Sequence, residues 1–408
     1  MTTDYRPILT LNEVGTNDAV SLSDAQSSGL TVSGSSIGLG AGQTVEVMLN
    51  SVSVGTATVA ANGTWSLNVP ATAFSGTTAG DLLDFSVSAT VTGGPNPLPA
   101  TDQATAHVPA AYFISEAGRS GSTITFEIHA DADRDISSGL AFTANLGFDP
   151  AVVTYDTGSE VENTDFDLFL ANPNGAAEIS FGGAATSFSD LTQPVVTFTM
   201  TVLDPTKPIE LTINTPDGGP THGVLGTDGA DALAATGIDN VIRGGDGDDV
   251  IDLSGAGRDL IVFEADPTAN GTDIVTGFTL GPAADMADAI MFSGLDVSSL
   301  RGDGTGVETL AIGDMIATDT GFVGLTTTLT DLTTGSLEAA AETLTGAHAG
   351  DEIYLLASDG TDSVLVKVDY SAPTSATVST VAQFDGLGDL SGLSSDNILH
   401  TDPTGASS

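Results

Sequence analysis

The chain has 408 residues with 8 Lys+Arg against 54 Asp+Glu, a formal net charge of −46, which repels nucleic acid and anionic membrane and sets phosphate-binding functions aside. Cysteine is absent, so neither disulfides nor thiolate metal sites contribute, while 40% hydrophobic residues, 49 glycines and 15% charged residues suit small-residue β-structure better than a disordered acidic tail. No run approaches the ~18 apolar residues of a membrane span, so membrane insertion is not expected, and the length leaves room for about two to four domains.

Residues 1–26 form a polar N-terminal arm with one short apolar run, Ile8–Leu11. It is either a flexible lead-in or a strand that docks on a neighbouring molecule's sheet edge. The opening MTTDYRPILTLNEV has one arginine and no sustained apolar core, unlike a secretory signal peptide.

From 27 to 110 apolar and polar residues alternate: Val45, Val47 and Leu49 against Thr44, Glu46 and Met48, then Trp65, Leu67 and Val69, then Phe85, Val87, Ala89 and Val91. About seven such runs with regular turns predict an antiparallel sandwich, with Asn62-Gly63 as a hairpin turn. The stretch VGTATVAANGTWSLNVP (54–70) resembles the central hairpin of bacterial immunoglobulin-like modules of surface proteins. Trp65 is assigned to the core. Gly34-Ser-Ser36-Ile-Gly38 matches G-x-S-x-G, but a strand rather than a helix follows, so it is expected to be a loop and no nucleophile elbow.

A second β-module is expected over 111–220, where Ile124, Phe126 and Ile128 alternate with Thr125, Glu127 and His129. Its segments GLAFTANLGFDPAVVTY (139–155), NGAAEISFGG (174–183) and PVVTFTMTVL (194–203) resemble the cohesin type of sandwich, in which a strand ends in an aromatic-Asp-Pro turn. Cohesin-type modules bind partner proteins. The turn at Asp131, Asp133 and Asp135 begins like an EF-hand loop but lacks its later Gly and Glu, so a solvated turn is expected.

The most informative stretch is Gly226–Val262, within an expected β-roll over 221–278. Read in nines it contains GTDGADALA (226–234), ATGIDNVIR (235–243) and GGDGDDVID (244–252), then, after Leu253, SGAGRDLIV (254–262). The third copy fits G-G-x-G-x-D-x-U-x throughout and the others are degraded forms of it. Glycines at positions one, two and four permit φ > 0 and tight turns that expose carbonyl oxygens. The sixth residue adds a carboxylate, and the apolar eighth points into a parallel β-roll. Ca²⁺ takes about six to eight oxygens, so stacked turns must share it. Successive copies turn on opposite sides of the roll, which pairs Asp231 with Asp249 and Asn240 with Asp259, the second pair weaker for want of one carboxylate. The expected metal-site residues are Gly226, Asp228, Asp231, Asn240, Gly244, Asp246, Asp249, Gly255, Gly257 and Asp259. Four nonapeptides make only about two coils, so the roll must lean on the cap or on the module before it.

Together with GTDIVTGF (271–278), DEIYLLASDGTDSVLVKVDY (351–370) and VAQFDGLGDLSGLSSDNIL (381–399), these copies resemble repeats-in-toxin (RTX) calcium-binding proteins. That resemblance implies export by a type I channel through an uncleaved C-terminal signal, and an extracellular or cell-surface place in a Gram-negative bacterium. Residues 279–408 are then a mainly β C-terminal cap and secretion region, with one helix at Ser336–Leu344 and a hairpin turning at Asp359-Gly360.

The five histidines (107, 129, 222, 348 and 400) are scattered, H-E-x-x-H is absent, and no pair among the many carboxylates stands out as a glycosidase site. The Arg301-Gly302-Asp303 tripeptide is assigned to chance. No enzyme is expected. The expectation is an all-β protein of an immunoglobulin-like sandwich, a cohesin-like sandwich and a short parallel β-roll with its cap. Its expected role is a calcium-stabilised structural protein assembling with copies of itself into a layer, filament or matrix. The alternative is an adhesin or binding module for a surface protein or cell-surface polysaccharide.

Overall fold

The computed structural model describes residues 7–15, 20–77, 81–90, 99–108, 112–130, 140–187, 193–215, 221–236, 238–255, 257–282, 286–295, 300–301 and 306–399. It is nearly all β and divides into two compact units, one ending at Val108 and one starting at Tyr112 among the described residues. The Asp131–Asp135 turn, and Gly302 and Asp303, lie outside the described residues.

The first unit comprises β1 (Ile8–Leu11), α1 (Leu22–Ser28), β2 (Leu30–Ile37), β3 (Thr44–Leu49), β4 (Val52–Thr58), β5 (Thr64–Val69), β6 (Leu82–Thr90) and β7 (Pro99–His107). These form two antiparallel sheets, β1-β2-β5 and β4-β3-β6-β7. The predicted alternation is what each sheet buries: Val45, Val47, Phe85 and Val87 from one, and Val32, Trp65 and Val69 from the other. Trp65 is a core residue at 3% exposure.

Three expectations for this unit are corrected. Ile8–Leu11 is neither a loose lead-in nor an intermolecular strand, because β1 pairs antiparallel with β2 of its own unit and buries Leu9 and Leu11. Gly34–Ile37 is not loop but the second half of β2. A side chain at Gly34 would collide with Thr10 O and the Trp65 ring, so the glycine serves close packing. Asn62-Gly63 does turn the chain, with Ala60 N–H donating to Thr64 O at 2.8 Å, yet the flanking strands part into opposite sheets: β4 pairs β3, and β5 pairs β2. The two-residue hairpin in this unit is Asn50-Ser51 between β3 and β4, with φ of +48° and +66°, the left-handed pair that matches strand twist.

The second unit begins with β8 (Tyr112–Ser120), β9 (Thr123–Ala130), β10 (Leu140–Phe148), β11 (Val153–Tyr155), β12 (Val161–Glu162), β13 (Leu168–Pro173), β14 (Glu178–Ala185), β15 (Val196–Val202) and β16 (Ile209–Asn214). Next come short rungs: β17 (Thr221–Leu225), β18 (Ala232–Ala234), β19 (Val241–Arg243), β20 (Val250–Asp252), β21 (Leu260–Glu264), α2 (Pro267–Asn270), β22 (Asp273–Thr276) and β23 (Ala289–Ser293). It closes with β24 (Gly306–Leu310), β25 (Thr320–Leu325), α3 (Thr334–Thr343), β26 (Glu352–Ser358), β27 (Ser363–Ala372), β28 (Ser375–Asp385) and β29 (Ile398–Leu399).

The rungs alternate between two parallel ladders, β17-β19-β21-β23-β29 and β18-β20-β22-β28. Neither ladder stands alone. The first continues through the antiparallel β16–β17 pair into β10, β14 and β13, making one nine-stranded sheet, and the second continues through β28 into β27, β26, β25 and β24. The short roll leans on both neighbours at once. Between its ladders lie the eighth-position residues Leu233, Ile242, Ile251 and Ile261, joined by Val275 and Ile290, each at most 4% exposed. Helix α3 is capped by Thr333, whose side chain accepts from Ser336 N–H, and β26 and β27 meet across Asp359-Gly360.

Candidate metal centre

Each coil of the roll presents its sixth-position residue just before a rung, and these residues interlock. Asp231 N–H donates to Asp249 Oδ1 at 2.9 Å, a partner 18 residues on. On the opposite side Asn240 N–H donates to Asp259 Oδ1 at 3.0 Å, and the Asn240 Nδ2 amide adds a second bond to the same oxygen at 2.6 Å. Both pairs expected from the repeat spacing are brought together, as backbone-to-carboxylate bonds.

Two rungs escaped sequence reasoning. Asp249 N–H donates to Asp273 Oδ1 at 3.0 Å, and Asp259 N–H to Asp288 Oδ1 at 2.9 Å. Their separations of 24 and 29 residues break the nonapeptide period, because α2 and the 277–287 segment are inserted between coils. The signal available was local. Asp231-Ala-Leu, Asp249-Val-Ile, Asp259-Leu-Ile, Asp273-Ile-Val and Asp288-Ala-Ile all place an inward apolar residue two positions after the aspartate.

The glycines do more than turn the chain. Gly245 and Gly247 have φ of +92° and +124°, as positions two and four require. Position one differs from expectation: Gly226 and Gly244 are absent from the positive-φ residues and are small for contact reasons. A side chain on Gly226 would collide with Gly244 O, and one on Gly244 with Asp249 Oδ2. On the other side a Cβ at Gly255 would lie 2.8 Å from Ala235 O, and one at Gly257 2.6 Å from Asp239 N. Asp228 and Asp246, at position three, are exposed.

Asp249, Asp259, Asp273 and Asp288 are 0–2% exposed. Burial pushes their carboxyl groups up to about 6, 7, 7 and 6 respectively, helped at Asp249, Asp259 and Asp273 by neighbouring carboxylates and opposed at all four by the N–H bonds they accept and at Asp288 by the Arg258 charge. Among the described residues Asp249 Oδ2 and Asp259 Oδ2 find no hydrogen-bond partner. A buried carboxylate oxygen without a partner is costly unless a proton or a cation satisfies it.

Among the described residues no three His, Cys, Asp or Glu side chains converge as a metal cluster, so a cation here must draw on backbone oxygens as well. The donor set fits Ca²⁺, a hard ion that takes carboxylate and carbonyl oxygens: Asp249 on one side of the roll and Asp259 on the other would each hold an ion together with turn carbonyls of the stacked coils, such as, on the Asp249 side, Thr227 O, which would lie 2.5 Å from a Cβ at Gly245. Bound Ca²⁺ would neutralise the orphaned oxygens and tie successive coils together.

The histidines whose side chains are described do not join this centre: His222 pairs with Thr236 Oγ1 at 2.8 Å. His129 is buried, 3.2 Å from Glu127 Oε2 and stacked on Phe113, and His348 is exposed beside Asp351; the side chains of His107 and His400 are outside the described residues. Ser36 Oγ of the G-x-S-x-G match donates to Gly63 O. Arg301 is 7% exposed and its Nε donates to Ala317 O at 2.9 Å. No described helix is long and apolar enough to cross a membrane.

No family model matches the chain, and no match is found among curated proteins. A structure concerned with host cell surface retention of a 1.5-MDa bacterial ice-binding adhesin is 18% identical, over 55% of this chain and 63% of that one, with a TM-score of 0.23. The match thus spans less than two thirds of that adhesin chain. The type II cohesin dyad from the adaptor ScaA scaffoldin of Acetivibrio cellulolyticus is 12% identical, over 52% of this chain and 88% of that one, with a TM-score of 0.19. Both superpositions are too loose to bear on function.

Proposed function

We propose that this chain is a secreted, calcium-stabilised structural protein of a bacterial surface, whose copies assemble into an extracellular layer, filament or matrix. One observation carries the calcium part: Asp249 and Asp259 are buried in the roll, each with a carboxylate oxygen that no group among the described residues satisfies. Free calcium is scarce in the cytosol and abundant outside, so such a roll completes itself after export. The same ion offsets the self-repulsion of a chain at −46.

Assembly is supported by the β13 edge of the nine-stranded sheet. Its segment Leu168–Pro173 carries no charge and exposes Leu168 and Leu170 at 60% and 64%, a surface suited to strand addition. A second reading, an adhesin or partner-binding module, is favoured by the cleft of about 330 Å³ lined by Val161, Glu162, Asn163, Asp165, Gln193 and Pro194.

Electron microscopy of the purified protein in millimolar calcium and in excess chelator separates the two. Ordered sheets or filaments that vanish on chelation support assembly. Folded single particles at high concentration in calcium sink it and leave the binding reading.

A further inference from the structure

The buried aspartates of the roll are not equivalent. In every one of Asp249, Asp259, Asp273 and Asp288, Oδ1 accepts a backbone N–H from the neighbouring coil. The second oxygen separates them. Asp231 Oδ2 accepts from Thr227 N–H at 2.6 Å and from Thr227 Oγ1 at 2.9 Å. Asp288 Oδ2 accepts from Thr279 N–H at 2.8 Å and from Thr279 Oγ1 at 2.9 Å. Asp249 Oδ2 and Asp259 Oδ2 accept nothing from the described residues.

The cause is legible residue by residue. Thr227 stands four positions before Asp231, at the second place of its nonapeptide. The corresponding residues before Asp249 and Asp259 are Gly245 and Gly255, which have no hydroxyl. Gly245 also takes the left-handed conformation at φ +92°. A glycine there has no hydroxyl to offer, and the Oδ2 atoms of Asp249 and Asp259 receive no backbone N–H from it either, whereas Thr227 supplies both donors.

We infer that Thr227 and Thr279 are built-in substitutes for a cation, closing the first rung of one ladder and the Asp288 rung of the other, so that a divalent, oxygen-seeking ion is required at the inner rungs Asp249 and Asp259. The departure of the first copy from G-G at its second position is then a terminator and not decay. Each ladder can end without a cation that has only one coil to bind. The inference rests on the calcium reading above and adds to it which rungs the ion serves.

The test uses the full chain and calcium alone, with stoichiometry from calorimetry and melting temperatures with and without chelator. Asp249→Asn and Asp259→Asn should each remove one calcium, while Asp231→Asn and Asp288→Asn leave the count unchanged. Thr227→Val and Thr279→Val should lower the melting temperature in chelator and enlarge the calcium-induced rise, since each removes the hydroxyl donor and leaves its aspartate Oδ2 with the backbone N–H alone; Thr→Ser at the same places should restore wild-type behaviour. Loss of a calcium in Asp231→Asn or Asp288→Asn would overturn the inference. So would an equal drop for Thr→Val with and without calcium, the mark of a merely structural role. Wild-type protein that binds no calcium at millimolar concentration would instead remove the underlying calcium reading.

Discussion

The carboxylate of Asp249 accepts the backbone N–H of Asp231 at 2.9 Å across 18 residues of sequence, and Asp249 N–H passes the same bond on to Asp273. The roll is therefore held by a column of buried acids, each needed by the coil before it. Its stability depends on how their charge is handled.

Calcium should raise the melting temperature of the second unit well beyond any change in the first. Once sites are saturated, each tenfold increase in free calcium adds about 1.4 kcal/mol per bound ion. Calorimetric scans at several calcium concentrations test this. Trp65 of the first unit is the chain's single tryptophan, so its fluorescence should report a transition that calcium leaves nearly unmoved.

In chelator, stability should fall as pH rises. The buried groups of Asp249, Asp259, Asp273 and Asp288 sit at about 6 to 7 when folded and near 3.9 when unfolded. Between roughly pH 4 and 7 the folded chain thus keeps protons the unfolded chain has released, so the contribution present at low pH is lost through this window. Melting should occur at a higher temperature at pH 5 than at pH 8 without calcium, and Asp259→Asn should flatten that slope. A higher melting temperature at pH 8 in chelator would contradict the burial of these groups.

Ile251→Ala should destabilise the second unit by about 2–5 kcal/mol, the usual range for emptying a buried aliphatic site. Ile251 is fully buried between the two ladders. The equivalent loss at Val250, 46% exposed on the neighbouring position, should be under about 0.5 kcal/mol, as is usual for surface substitutions. Denaturant midpoints of the two variants check the contrast.

Gly34→Val should displace β1 from β2, because the new side chain would occupy the space of Thr10 O and the Trp65 ring. Overpacking of this kind costs about 1–3 kcal/mol. A red shift of Trp65 emission, with proteolytic cleavage between residues 12 and 21, would mark the freed strand; unchanged emission and protection would show that the sandwich absorbs the bulk elsewhere.

What the sequence determined by itself is whatever depends on short period. Two-residue alternation identified Val45, Val47, Phe126 and Ile128 as inward positions, and the nine-residue period identified both the buried column Leu233, Ile242, Ile251, Ile261 and the Asp231–Asp249 and Asn240–Asp259 pairs. The tertiary structure decided what depends on partners far apart in the chain. It sent β5 to β2 rather than across the Asn62-Gly63 turn, joined the roll to both neighbouring sheets, and extended the carboxylate column to Asp273 and Asp288 across insertions that erase the period. A turn specifies only a local reversal, and a repeat is visible only while its spacing holds. Which strand fills an edge, and which oxygen is left without a partner, is settled by packing in three dimensions.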